Sequence, residues 1–369
     1  MVRILIFFIY YKRIRITHQE DIMKKRFLTF TLAMLLSITA LTGCNSEEST
    51  PPKKESLENS TEILPDSKKV VLNEVAHSIF YAPMYVAIEE GYFEEEGINL
   101  EVVTGFGADK VMTAVLSGEA DIGFMGSEAS IYAYNEGAND YVINFAQLTQ
   151  RAGNFLVARE EMPNFKWNDL RGKTVLGGRK GGMPEMVFEY ILKQQGLDPQ
   201  KDVTINQNID FGSTAAAFAE GQADYTVEFE PGATTLETGQ KGYVVASLGS
   251  DSGYVPYTAF SAKKSYIEKN KETIQGFTNA LQKGMDFVQT HTPEEIAKVI
   301  EPQFKETNLD TITTIVSRYY EQNTWKEDLI FKKESFELLQ NILESAEELS
   351  KRAPYEELVT TEFAQKAAN

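Results

Sequence analysis

The 369 residues carry 54 Asp and Glu against 36 Lys and Arg, a formal net charge of −18. That balance excludes a nucleic-acid binder, whose affinity comes largely from cationic contacts with phosphate. One cysteine and three histidines leave no material for a disulfide framework or a multi-histidine metal centre.

Residues 1–22 hold an apolar run and a basic patch of their own, and Met23 makes the better start. From Met23, Lys24, Lys25 and Arg26 form a short basic region, and Phe27 to Ala40 are largely apolar but too few to span a bilayer. The run ends in Leu41-Thr42-Gly43-Cys44, which resembles a bacterial lipobox, with Cys44 as the lipidated first residue of the mature chain. Residues 1–43 are therefore read as a signal region. They carry seven basic and two acidic residues, so the remainder holds 29 and 52, a net of −23. Residues 44–68 are polar, contain Pro and Ser, lack periodicity and read as a flexible tether.

The folded part starts near Lys69. Strands are predicted at 69–75, 98–104, 119–125 and 141–148, with helices at 84–97 (broken by Gly91), 108–118 and 127–137 between them. A second unit repeats the grammar: strands at 173–178, 203–209 and 222–229, and helices at 185–196 and 213–221. The segment AVLSGEADIGF (114–124) matches AFAEGQADYTV (217–227) at Ala114/Ala217, Gly118/Gly221, Ala120/Ala223 and Asp121/Asp224. Two such units imply two α/β lobes with mainly parallel sheets. Strand-like segments at 154–160 and 257–264 bracket the second unit, so residues 69–153 and 257–369 form lobe 1 and 154–256 form lobe 2, able to hinge about the links. Beyond 264 the pattern is helical, at 265–291, 292–304, 308–322 and 332–351, with Thr292 as a cap and Pro293 in the first turn. These helices are expected to pack on lobe 1.

Four segments carry a family likeness: YAPMYVAIEEGYFEEEGINLEVV, AVLSGEADIGFMGSEAS, LRGKTVLGGRKGGMPEMVFEYILKQQGL and AFAEGQADYTVEFEP. Together they resemble the solute-binding proteins related to thiamine-pyrimidine synthase, a family that takes aliphatic sulfonates, taurine, nitrate and aminopyrimidine thiamine precursors. The likeness spans about residues 70–290 and implies a type II periplasmic-binding-protein fold that closes on a ligand between its lobes. The pyrimidine synthase uses a cysteine-rich iron-binding motif that this chain lacks, so no enzymatic activity is expected.

Ligands of open α/β sheets sit beyond the carboxyl ends of strands. Four loops qualify. The first holds His77, Phe80 and Tyr81, whose aromatics can stack on a flat ligand. The second, Gly126-Ser127-Glu128, enters a helix whose N–H groups favour an electronegative group, with Ser127 a plausible cap. The third, Arg179-Lys180-Gly181-Gly182-Met183, resembles an anion cradle but lacks the full Walker and GxGxxG patterns. The fourth places Glu228 and Glu230 one residue apart at a strand end, facing the same side, able to accept from an amine or aminopyrimidine. Gln147, Arg151 and Tyr257 lie at the crossovers, which line the cleft floor in the resembled family. The expectation is an extracytoplasmic, lipid-anchored, monomeric partner of an ABC permease that binds a small organic molecule, without a cofactor, metal or nucleic acid. A lipid-anchored sensor of the same fold is the alternative.

Overall fold

The computed structural model describes residues 67–209 and 212–369; the signal region, Cys44 and nearly all of the tether lie outside them. Two five-stranded sheets organise the chain. In the first, β1 (Lys68–Glu74) is flanked by β2 (Ile98–Thr104) and β3 (Ile122–Gly126), both parallel to it, with Val70 opposite Leu100 and Leu72 opposite Ile122. The late strand β10 (Thr258–Lys263) then runs antiparallel to β3 and to β4 (Val142–Thr149). In the second, β6 (Thr174–Leu176) lies between β7 (Thr204–Asn206) and β8 (Tyr225–Glu228), all parallel. The link strand β5 (Phe155–Ala158) runs antiparallel to β8 and to β9 (Tyr243–Ser247). Each sheet is thus mixed. Its parallel half follows the alternating strand–helix grammar, and its antiparallel part is built on a strand that crosses between lobes.

The helices of the first lobe are α1 (Ala82–Glu89), α2 (Tyr92–Glu95), α3 (Ala108–Ser117) and α4 (Glu128–Asn135). Gly91, at φ 75°, breaks α1 from α2 where a side chain would be strained. The second lobe holds α5 (Met183–Gln194), α6 (Thr214–Ala219), α7 (Gly232–Thr238) and α8 (Leu248–Asp251). The sequence pattern did not reveal β9, α7 or α8, which are short and weakly periodic.

The sequence repeat performs one job twice. Gly118 and Gly221 turn the chain at φ 84° and 94°. Three residues on, the Asp121 carboxylate accepts from the Val71 N–H at 2.9 Å and the Asp224 carboxylate from the Thr174 N–H at 2.8 Å. In each lobe the aspartate therefore ties a helix–strand turn to the neighbouring strand.

After β10 come α9 (Lys264–Lys269), α10 (Lys271–Thr290), α11 (Pro293–Ile300), α12 (Leu309–Glu321), α13 (Lys333–Ser345), α14 (Tyr355–Leu358) and α15 (Glu362–Ala367). The run expected as one helix over 265–291 breaks at Asn270. Ile274, Phe277, Leu281, Met285 and Val288 form the wholly buried stripe of α10, each contributing about 1.5–3 kcal/mol by transfer from water. Thr292 caps α11 in a reciprocal box with Glu295. The C-terminal helices do not serve lobe 1 alone. Lys193 on α5 reaches the Ser345 carbonyl, and Lys180 pairs with Glu348 at 3.3 Å.

Candidate functional site

A cavity of about 370 Å³ opens between the two sheets. Its walls are the carboxyl ends of the six parallel-paired strands and the loops that leave them: Val75–Ser78 after β1, Phe106–Ala108 after β2, Gly126 ending β3 and Glu128 beyond it, Gly178 to Pro184 after β6, Gly212 to Ala215 after β7, and Glu228 ending β8 with Phe229–Gly232 beyond it. Asn154 and Tyr257, from the two links, close its floor, where the Tyr257 hydroxyl donates to Asn154 Oδ1 at 2.5 Å. Its size suits a small organic molecule.

Of the residues singled out from sequence, His77, Tyr81, Gly126, Glu128, Arg179, Gly182, Met183, Glu228, Glu230 and Tyr257 border this space. The other six do not. Phe80 is buried beside it, its ring 5.2 Å from Tyr81 and 5.8 Å from Phe229. Ser127 does not cap α4: it has helical dihedrals, and its hydroxyl donates to the Pro256 carbonyl at 3.3 Å. Gln147 is buried with its amide turned to the Thr149 carbonyl. Arg151 donates to the Gly249 carbonyl at 2.9 Å and stacks 4.2 Å over Tyr254. Lys180 points to solvent and Glu348. Gly181 gives its N–H to Glu185 and its carbonyl to the Tyr132 hydroxyl.

The lining groups differ in what they have left to offer. His77 is spoken for: Nδ1 meets Glu74 Oε1 and Nε2 meets the Gln303 carbonyl, both at 2.9 Å. The hydrogen bond to Glu74 holds the imidazole pKa above its usual value. Glu74 is itself wholly buried and also accepts from Tyr85 at 2.5 Å and Thr104 at 2.9 Å. Glu230 is also committed, accepting from Arg318 at 2.6 Å, the Thr234 hydroxyl at 3.0 Å and the Thr234 N–H at 2.8 Å.

Two carboxylates are different. Among the described residues, Glu228 accepts the hydroxyls of Thr226 (2.5 Å) and Thr214 (3.0 Å) and no other side chain. Burial pushes its pKa up to about 7 against the effect of those hydroxyls, and Glu230 adds to the rise. Glu128 is 2 % exposed, and among the described residues its Oε2 has no hydrogen-bond partner. Its pKa is also pushed up to about 7 by burial, held back by its own N–H, by Arg179 and by the Met183 N–H. Gly126 makes room for it, since a Cβ there would lie 2.1 Å from Oε2. Arg179 is half exposed at the rim, 4.0 Å from Asp109 across the cleft.

Sequence reasoning missed Phe106, Asn154, Thr214 and Arg318. Phe106 could have been found, because Gly105-Phe106-Gly107 follows β2 as the other loops follow their strands. Arg318 carried no local signal: it lies on α12, 88 residues from Glu230 in the chain.

A family model described as "NMT1/THI5 like" matches residues 79–296. The chain is 48% identical over 301 residues to YtlA of Bacillus subtilis (strain 168), covering 82% of this chain and 90% of that protein, whose name states no ligand. It is 25% identical over 266 residues to the riboflavin-binding protein RibY of Chloroflexus aurantiacus, covering 71% and 74%. The solved alkanesulfonate-binding protein SsuA of Xanthomonas axonopodis pv. citri, bound to MOPS, superposes at a TM-score of 0.66 with 15% identity, covering 81% of this chain and all of that one. At that identity the likeness establishes the fold, two α/β lobes of the periplasmic-binding-protein type.

Proposed function

We propose a function from one premise: this chain belongs to the NMT1/THI5-like family. It is the extracytoplasmic solute-binding component of an ABC importer. It is tethered to the membrane through a lipid on Cys44 and captures a small organic molecule in the cavity between its lobes. The observation that carries this reading is the cavity itself, walled by strand-end loops of both sheets and floored by both links. A solute that touches both lobes binds the closed arrangement more tightly than the open one and shifts the population toward it. Closure then presents the permease with a surface that the open protein lacks.

The candidate solutes are a sulfonate of the taurine type and an aminopyrimidine of the thiamine-precursor type. The names of similar proteins widen the set to alkanesulfonates and riboflavin. The chain acts as a binder rather than a catalyst.

The test is a thermal-shift screen of the purified protein against taurine, methanesulfonate, 4-amino-5-hydroxymethyl-2-methylpyrimidine and riboflavin, followed by small-angle scattering with any stabilising compound. A solute at 100 times its Kd should stabilise by about 2.7 kcal/mol and reduce the radius of gyration. No stabilisation by any compound, or an unchanged radius at saturation, would count against the reading.

A further inference from the structure

The lobes are joined by more than the two links. Residues 318–325, the end of α12 and the turn after it, touch lobe 2 and the chain at both links without being part of either. On the lobe 1 side the segment is fixed to the first sheet and the first cleft loop. The Gln150 N–H, just beyond β4, donates to the Thr324 carbonyl at 2.9 Å, and Trp325 Nε1 donates to the Phe80 carbonyl at 2.9 Å. On the other side Ser247 Oγ, at the end of β9, donates to Gln322 Oε1 at 2.6 Å. Gln322 Nε2 donates to the Ala152 carbonyl before the first link at 3.2 Å, and the Tyr319 hydroxyl donates to the Gly153 carbonyl at 2.9 Å. Asn323 Nδ2 donates to the Tyr254 hydroxyl, beside the second link, at 3.1 Å. Arg318 adds its ion pairs with Glu230 and Glu237.

Burial and backbone geometry show how firmly the segment is held. Tyr319, Gln322, Thr324 and Trp325 are all buried. Their polar groups bond across a lobe boundary, and a buried group that loses its partner is costly. Asn323 has a φ of 56°, in the left-handed region that residues other than glycine seldom enter. Such strain persists where the surroundings over-determine the backbone. Opposite the turn, a Cβ at Gly249 would lie 2.4 Å from the Ala152 carbonyl oxygen and 2.8 Å from Gln322 Nε2, so lobe 2 meets the segment with no room to spare. Two links define an axis about which a lobe can rotate. Ser247, Glu230 and Glu237 lie outside the links, so that rotation has to break their bonds or carry the segment along.

We propose that residues 318–325 form a third, non-covalent hinge element, a clasp that stabilises the closed arrangement of the lobes and sets, through Gln322, how readily they open. None of these residues lines the cavity. The clasp therefore acts on the open–closed balance from outside the solute space. Loosening it weakens any solute that needs closure, by population alone and with every lining group intact.

The test needs no solute, so its failure leaves the solute-binding reading standing. Cys44 is the only cysteine, and the full-length protein carrying Cys44→Ser can take nitroxide labels at two introduced cysteines. Lys110→Cys and Lys180→Cys flank the place where Asp109 and Arg179 meet at 4.0 Å across the cleft, so opening lengthens the distance between the labels. Electron spin resonance of the protein in detergent reads that distance. Gln322→Met keeps the side-chain volume and removes all three hydrogen bonds of the amide. It should raise the ratio of long to short distances by about fivefold or more, the population equivalent of one lost hydrogen bond. Ser247→Ala, made at the half-buried partner in lobe 2, should act in the same direction and carries the test if Gln322→Met does not fold. Combining the two should open the lobes little further than Gln322→Met alone, because they share one bond. A distance distribution that neither variant lengthens would overturn the clasp, and so would full additivity of the two.

Discussion

Arg318 and Glu230 face each other across the two lobes, the guanidinium on α12 donating to the carboxylate after β8 at 2.6 Å. The same guanidinium reaches Glu237 on α7 at 2.5 Å. The Glu230 side chain is fully buried while Arg318 keeps a quarter of its surface, so the pair is a latch beside the cavity rather than a surface decoration.

Removing half of that latch should be costly. Arg318→Ala strands a buried carboxylate, for which a loss of about 3–5 kcal/mol is expected. The double variant with Glu230→Gln should recover much of it, because the uncompensated charge is gone. Urea unfolding of the two single variants and the double supplies the cycle. A double variant as weak as the sum of its parts would show that the two residues do not act as a pair.

How far this was legible from sequence depended on range. Gly118, Asp121 and their counterparts Gly221 and Asp224 were readable because a helix end and the strand after it are local chemistry, and the repeat marked them twice. The carboxylates at 128, 228 and 230 were found because strand ends place side chains at a cleft. Their roles were not, since Glu230's partner comes from a helix whose sequence reads as ordinary amphipathic surface. The bonding of His77 was hidden for the same reason: nothing local reveals that Gln303, 226 residues away, takes its second nitrogen. The Gly-rich loop suggested an anion cradle, yet Lys180 and Gly181 are occupied by Glu348, Glu185 and Tyr132.

Packing of the C-terminal helices on the first lobe rests on a close approach. A Cβ at Gly284, on α10, would lie 2.1 Å from the Pro83 carbonyl oxygen, a backbone atom that cannot swing away. Gly284→Ala should force α10 off α1 and destabilise by about 1–3 kcal/mol despite alanine's better helix propensity. A melting temperature at or above that of the unaltered protein would show that α10 is free to shift.

The lipid reading of Cys44 is tested by location. Cys44→Ser expressed in its bacterial host should leave the detergent phase of a Triton X-114 partition, where the parent protein would collect. Equal partitioning of both would remove the anchor and leave the cavity argument intact.

The buried acids make a prediction about pH that needs no ligand. In the folded chain Glu128 and Glu228 titrate near 7, against 4.5 for an unburied glutamate. An acid with a raised folded value holds its proton longer in the native state, so unfolding releases protons between those limits and stability falls as pH rises through them. The penalty is absent below about pH 4.5 and complete above about pH 7, where it is on the order of 3 kcal/mol for each group. Glu128→Gln removes one such penalty without changing side-chain volume. It should therefore raise the melting temperature of the ligand-free protein markedly at pH 8 and little at pH 5. An equal shift at the two values would mean that Glu128 is ionised throughout and that its charge is compensated in the native fold. A lower melting temperature at pH 8 would mean that the carboxylate stabilises the native state. The sign of the difference between pH 8 and pH 5 separates a buried acid that destabilises the fold when ionised from a carboxylate that serves the fold.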